Sequence, residues 1–103
     1  MRDIAIKFTP TEFEMITGWI DQLKAKSFAD KSVYDRIAIS IMLSLSPRFS
    51  ASFYNIQKAY NRKLKYHEAA VIVDLAVALN ENESSPYRSA IMYSIISKIQ
   101  PQL

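Results

Sequence analysis

The sequence predicts an all-α domain of about five helices, packed as stacked antiparallel hairpins or as a compact bundle, with a short extended strand at its N-terminus. The 103 residues match the usual size of one domain. Half of the residues are hydrophobic, which is enough to form one core. The single glycine, Gly18, leaves few of the turns that an all-β fold needs. We therefore expect residues 1–103 to form one helical domain.

The N-terminal segment alternates between apolar and other residues. In "DIAIKF", the side chains of Ile4, Ile6 and Phe8 fall on one side, which predicts an extended arm over residues 1–9. An isolated strand has unpaired backbone groups, and the same strand of a second chain could pair with them.

A clear start signal places the first helix at about residues 10–26. Thr9 can act as the N-cap, Pro10 suits the first helical position, and Glu12 completes a capping box with Thr9. The apolar residues that follow recur at helical spacing. They are Phe13, Ile16, Ile20 and Leu23.

The second helix is predicted over residues 33–45, with Ser32 as its N-cap and Asp35 three positions later. The stretch "IAISIMLSL" also alternates, so a buried strand over residues 37–45 is the competing interpretation. The cap and the helical segments on both sides favour a helix. The first hairpin then covers residues 10–46.

Three more helices complete the predicted fold. The inner stripe of the third helix would consist of Phe53, Ile56, Tyr60 and Leu64. The fourth helix, at about residues 66–80, is apolar on most faces and should lie centrally. Together these two helices would form a second hairpin over residues 47–83. Ser85 then supplies an N-cap for a capping helix within residues 84–103.

Composition limits the classes of function. The chain has no cysteine, which excludes disulfide scaffolds, thiolate zinc sites and cysteine nucleophiles. His67 is the only histidine, and its plainest interpretation is an exposed residue at a helix start. Ser84 and Ser85 lack a nearby base, and there is no glycine-rich phosphate loop. We expect a protein that is not an enzyme and that carries no metal or cofactor.

The longest apolar stretch, residues 69–79, is interrupted by Asp74 and is shorter than the about 20 residues that span a bilayer. The chain start lacks the apolar core of a secretory signal peptide. We therefore expect a cytoplasmic protein with no membrane contact. If Asp74 were buried, it would need a partner such as Arg36, Arg62 or Arg88; otherwise it marks a narrow polar face.

Three aromatic residues, Trp19, Phe53 and Tyr87, are spaced 34 residues apart. Residues 53–82 resemble a tetratricopeptide repeat, a helical hairpin of about that length. The residues that carry the resemblance are Phe53, Ile56, Tyr60, Ala69 and Ala76. The departures from the repeat pattern are Gln57, Leu64 and Glu81.

The resemblance implies a partner-binding surface on the first helix of the hairpin. Its residues would be Tyr54, Asn55, Lys58, Asn61 and Arg62. This polar and basic set would suit an acidic peptide, although a solvated helix face is the simpler interpretation. The expected function is a non-enzymatic protein–protein interaction module that binds a partner or itself. Because two hairpins are few for such an array, a homodimer could supply the missing neighbour.

The charge distribution indicates an alternative function. The net charge is +3, and residues 47–67 hold five basic side chains and no acid. Basic side chains interleaved with tyrosines can bind phosphates and stack on bases.

The N-terminal order of strand, helix and helix resembles ribbon-helix-helix repressors, whose strand presents alternate side chains to the major groove. Here these side chains would be Asp3, Ala5 and Lys7, a poor set for reading bases. The alternative function is a small dimeric DNA-binding protein that uses the N-terminal strand and the basic third helix.

Overall fold

A computed structural model describes residues 3–25, 32–49 and 58–103. These residues form two β-strands and four α-helices. The strands are β1 (Ile4–Phe8) and β2 (Tyr60–Leu64). The helices are α1 (Pro10–Lys24), α2 (Val33–Ser44), α3 (Tyr66–Asn80) and α4 (Pro86–Ile99).

The capping signals in the sequence placed the helix starts correctly. At the start of α1, the Thr9 hydroxyl accepts from the Glu12 backbone N–H at 3.3 Å, and Glu12 accepts from the Thr9 N–H at 2.7 Å. Ser32 and Ser85 cap α2 and α4 in the predicted way. The choice of a helix over a strand at residues 37–45 is also confirmed, because most of this stretch lies in α2.

The prediction of an all-α fold is wrong at one place. Residues 60–64, expected to end the third helix, form β2 and pair antiparallel with β1. Tyr60 and Leu64 lie four positions apart, and this spacing puts both on one side of either a strand or a helix. The N-terminal strand therefore has its partner within the chain. The part of the predicted helix at residues 50–57 lies outside the described residues.

The described residues form two similar βαα units. Each unit has a strand of five residues, then a helix of fifteen residues, then a second helix with a serine N-cap. Ile4 and Tyr60 begin the two strands, so the strands and first helices correspond at a shift of 56 residues.

An approximate two-fold axis relates the two units. The register sets Ile6 opposite Arg62, and these two residues are equivalent by the shift of 56. The helix contacts follow the same symmetry, since α1 and α3 each contact both α2 and α4. In this arrangement each unit covers the other, as the two subunits do in a symmetric dimer.

The core lies between the inner face of the two strands and the four helices. The aromatic rings at its centre pack closely: the ring centroid of Phe13 lies 4.0 Å from that of Tyr60 and 5.3 Å from that of Phe49. Phe49 belongs to a short 3-10 turn, Ser46–Phe49, that follows α2. Phe13 and Phe49 belong to the first unit and Tyr60 to the second. Ala69 occupies the position equivalent to Phe13, so the second unit has no ring at that position.

We expect Phe8→Ala to lower the free energy of unfolding by about 3–5 kcal/mol, because truncating a buried phenyl ring leaves a cavity. Phe8 is fully buried, and its ring meets the Phe49 ring edge-to-face at 5.6 Å. Urea unfolding followed by the fluorescence of Trp19 measures the change. Tyr93→Ala, at an exposed position of α4, is the control and should change stability by less than about 1 kcal/mol. A small loss for Phe8→Ala would contradict the inward placement of β1.

Candidate nucleic-acid interface

The two strands form a ribbon with one face on the core and one face exposed. The outward side chains are those of Ala5 and Lys7 on β1 and of Asn61 and Lys63 on β2. The register sets Ala5 opposite Lys63 and Lys7 opposite Asn61. Directly opposed side chains lie about 4.5–5.5 Å apart at Cβ. These four residues therefore form one continuous patch, which we call the ribbon face.

The ribbon face is basic. It carries two lysines and no acid, and two further exposed lysines, Lys58 and Lys65, flank β2. Asp3, just before β1, is the acid at the rim. Such an exposed basic surface attracts polyanions.

A buried carboxylate fixes the junction between β1 and α1. One oxygen of Glu12 accepts from the Thr9 backbone N–H at 2.7 Å and from the Lys98 ammonium at 2.5 Å, while the other accepts from the Ser94 hydroxyl. Lys98 also donates to the backbone carbonyl of Lys7 at 3.0 Å. The cation from α4 thus joins the carboxylate beneath the ribbon to the strand itself.

The same arrangement recurs between β2 and α3. Glu68, equivalent to Glu12 by the shift of 56, accepts from the Lys65 backbone N–H at 2.8 Å and from the Arg48 guanidinium. Lysine offers no side-chain acceptor, so only this half of a capping box forms. Arg48 also donates to the backbone carbonyl of Lys63 at 3.0 Å. Each unit therefore supplies the cation for the other unit's glutamate.

Both glutamates are held in the ionised state. Burial opposes the ionisation of Glu12, but the hydrogen bonds from Lys98, Ser94 and the Thr9 N–H outweigh it and hold the pKa of Glu12 below its ordinary value. Burial also acts against Glu68, and the hydrogen bonds from Arg48 and the Lys65 N–H again lower its pKa.

Arg62 lies on the inner side of the ribbon. Its guanidinium carbon is 5.0 Å from the ring centroid of Phe13 and 5.7 Å from that of Tyr60. Its Nε donates to the backbone carbonyl of Arg48 at 2.5 Å. Through these cation–π and hydrogen-bond contacts, Arg62 supports the ribbon on its inner side, away from the ribbon face.

The structure separates the residues that the sequence grouped into a partner-binding surface. Lys58 is exposed just before β2, and Asn61 lies on the ribbon face, whereas Arg62 points to the other side. Tyr54 and Asn55 lie outside the described residues. The tetratricopeptide resemblance stays a prediction, because much of its first helix falls in that part of the chain.

Sequence reasoning overlooked the contribution of β2. Lys63 was grouped with the basic residues of a helix, yet the short alternation "YNRKL" places it beside Asn61 on the outward face. The supporting contacts of Arg48, Glu68 and Lys98 were not predicted either, and Arg48 entered only as one of the five basic residues in 47–67. A comparison of "FTPTE" with "LKYHE" could have found the second glutamate, since both stretches join a strand to a helix.

Comparison with known proteins gives no family assignment: no protein-family model, no curated protein and no solved structure matches the chain. None of the helices that the structure describes has the length and apolar character needed to cross a membrane. Within the same residues, no three acidic or histidine side chains gather as metal ligands.

We expect the free energy of unfolding to fall as the pH drops from about 5. A carboxylate with a lowered folded pKa contributes stability above its unfolded pKa, here 4.5, and this contribution is lost as the pH falls through the folded pKa. The double variant Glu12→Gln, Glu68→Gln should be less stable at neutral pH, by about 1–3 kcal/mol for each charged hydrogen bond lost, and should show a flatter acid dependence. Urea unfolding at a series of pH values measures both effects.

Glu14→Gln, at an exposed position of α1, is the matched control and should keep the acid dependence of the natural chain. Equal slopes for the natural chain and the double variant would show that other groups set the acid sensitivity.

Proposed function

We propose that this chain binds double-stranded DNA by placing the ribbon face in the major groove. The observation that carries the proposal is the paired ribbon, whose outward face is basic and whose inner face is packed on the core. The major groove is about 12 Å wide and admits a two-stranded β-ribbon. The ribbon face has the matching strand arrangement and charge.

The side chains of the ribbon face have the chemistry of base recognition. Lysine donates to the O6 and N7 atoms of guanine, and asparagine forms paired bonds with adenine. Lys7, Lys63 and Asn61 are exposed and lie within one patch. Lys58 and Lys65 flank the patch, where they can contact the phosphates.

The order of strand, helix and helix, which resembles ribbon-helix-helix repressors at the N-terminus, occurs in both units. β1 pairs with β2 of the same chain, so one chain could present the ribbon that a dimeric repressor builds from two. This supports a DNA-binding role for a single chain. It also replaces the poor set of Asp3, Ala5 and Lys7 by one that includes Asn61 and Lys63.

We expect the natural chain to bind duplex DNA, with an affinity that falls as salt rises. Lys7→Gln and Lys63→Gln should each weaken binding, because each removes a positive charge from the surface that meets the DNA. Fluorescence anisotropy with a labelled random-sequence duplex, at several salt concentrations, measures the affinity and its salt dependence. Lys24→Gln, an exposed lysine at the far end of α1, is the matched control and should bind like the natural chain.

If all three lysine variants bind equally well, the ribbon face is not the DNA contact. If the natural chain binds no duplex even at low salt, the proposal fails altogether.

A second proposal concerns a protein partner, and it rests on an apolar groove between α2 and α3. The groove has a volume of about 680 Å³. Its apolar lining includes Tyr34, Ala38, Met42, Val71, Leu75 and Ala78. Three acids also line it: Asp35, Asp74 and Glu81. Asp74 is exposed there, which supports its interpretation as part of a narrow polar face.

A difference between the two units explains why the groove is open on this side. The equivalent surface between α4 and α1 holds a depression of only about 220 Å³, lined in part by Ile91 and Arg88. Aligning the N-caps Ser32 and Ser85 sets Ala38 against Ile91 and Asp35 against Arg88. The small side chain of Ala38 leaves space that Ile91 fills in the other unit.

We propose that this groove accepts a basic amphipathic helix of a partner protein. The apolar floor suits the apolar face of such a helix, and the acids favour lysine or arginine at its edges. This differs from the acidic peptide that the repeat resemblance implies. A second copy of the chain would bring its own acids against Asp35 and Asp74, and like charges disfavour that pairing.

We expect a designed helical peptide of leucine and lysine to bind the natural chain about tenfold more tightly than a leucine–glutamate peptide of the same length, because of the acidic lining. Ala38→Ile should fill the groove and weaken the binding of the leucine–lysine peptide. Ala90→Ile, at an exposed position of α4, is the matched control. Isothermal calorimetry measures the affinities.

Equal affinity for both peptides would overturn the charge argument. A dimer in light scattering that Ala38→Ile dissociates would assign the groove to a second copy instead.

A further inference from the structure

We infer that the DNA site of this chain carries the same base at one pair of positions related by the two-fold axis and different bases at another such pair. The inference rests on the proposed DNA binding and concerns the base pairs that the ribbon face selects. It follows from which residues of the ribbon face are identical in the two units and which differ.

The approximate two-fold axis exchanges residues that are 56 positions apart. It therefore exchanges Lys7 with Lys63, which are identical, and Ala5 with Asn61, which are different. A homodimer would present the same side chains in both halves. On a single ribbon, this chain presents one related pair of identical side chains and one related pair of different side chains.

The equal positions select equal base pairs. Lys7 and Lys63 are exposed lysines on opposite strands, and each can donate to guanine in the major groove. The site should therefore contain guanines at positions related by the two-fold axis.

The unequal positions select different bases. Asn61 can donate to N7 and accept from the amino group of adenine, a bidentate contact that the other bases do not match. Ala5 has no polar side-chain atom, and its methyl group can pack only on an apolar edge such as the thymine methyl. We therefore expect adenine in the half read by Asn61 and, at the related position, thymine facing Ala5.

The ribbon is held firmly enough for this difference to matter. The register is fixed by inward side chains at both ends, where Ile4 pairs with Leu64 and Phe8 with Tyr60. A slip by one residue would expose these apolar side chains to water. The cations that bond the carbonyls of Lys7 and Lys63 also anchor each strand to the opposite unit.

The test begins with selection of duplexes from a random library by the purified natural chain. Anisotropy then gives affinities for the selected site and for two palindromes, each built from one half of it. We expect an asymmetric selected site that binds about tenfold more tightly than the palindrome of the Ala5 half, which lacks the adenine contact.

Two variants make the ribbon face symmetric. Asn61→Ala should lose the preference for adenine in one half only, with the guanine preference of both halves kept. Ala5→Asn gives both halves an asparagine and should prefer the palindrome of the Asn61 half over the original site. Lys24→Asn, away from the ribbon, is the control and should select the same site as the natural chain.

Selection of a palindrome by the natural chain would overturn the inference and leave the proposed DNA binding in place. A change in both halves on Asn61→Ala would overturn it as well, because two chains would then share the site. Failure to enrich or bind any duplex would overturn the proposed function together with this inference.

Discussion

Two buried carboxylates, each neutralised by a cation from the other half of the chain, hold this fold together. Glu12 pairs with Lys98, and Glu68 pairs with Arg48. A buried carboxylate without a partner costs several kcal/mol. Neither βαα unit carries the cation that its own glutamate uses in this arrangement. The cooperation of the two halves is therefore electrostatic as well as hydrophobic, and it is located directly beneath the ribbon that carries the proposed site.

The two units share a backbone plan but differ in side chains, and these differences give the molecule its distinct surfaces. Phe13 against Ala69 places a large ring in the first unit and a small side chain at the equivalent position of the second. Ala38 against Ile91 opens a groove on one side and closes it on the other. A symmetric pair of units would offer two equal surfaces. The divergence instead separates an acidic, apolar groove from a basic ribbon within about one hundred residues.

Local signals in the sequence predicted the helices. They could not predict the pairing of two strands that are distant in the sequence. Thr9 with Glu12, and the serines before α2 and α4, act within a single turn, so their patterns can be read directly. β2 has five residues, and the spacing of Tyr60 and Leu64 fits a helix equally well. Its partner lies more than fifty residues away in sequence, and no local pattern specifies that pairing.

The incorrect prediction of a helix at residues 60–64 also explains why the candidate site was predicted only in part. On a helix, Asn61 and Arg62 can share a broad polar face, but on a strand successive side chains point to opposite faces. The sequence reasoning did find Lys7 and the basic cluster that contains Lys63. It could not bring them together, because the contact between them depends on the pairing of the two strands.

The residue at the centre of the ribbon restricts how units of this kind can associate. Ile6 lies opposite Arg62 at the two-fold axis. If two copies of the second unit paired through β2, two arginine side chains would meet there, and like charges directly opposite each other are destabilising. The second unit is thus a poor partner for itself and a good one for the first unit. Since the first unit leaves the ribosome earlier, the partner that the second unit needs is already present when its own strand is made.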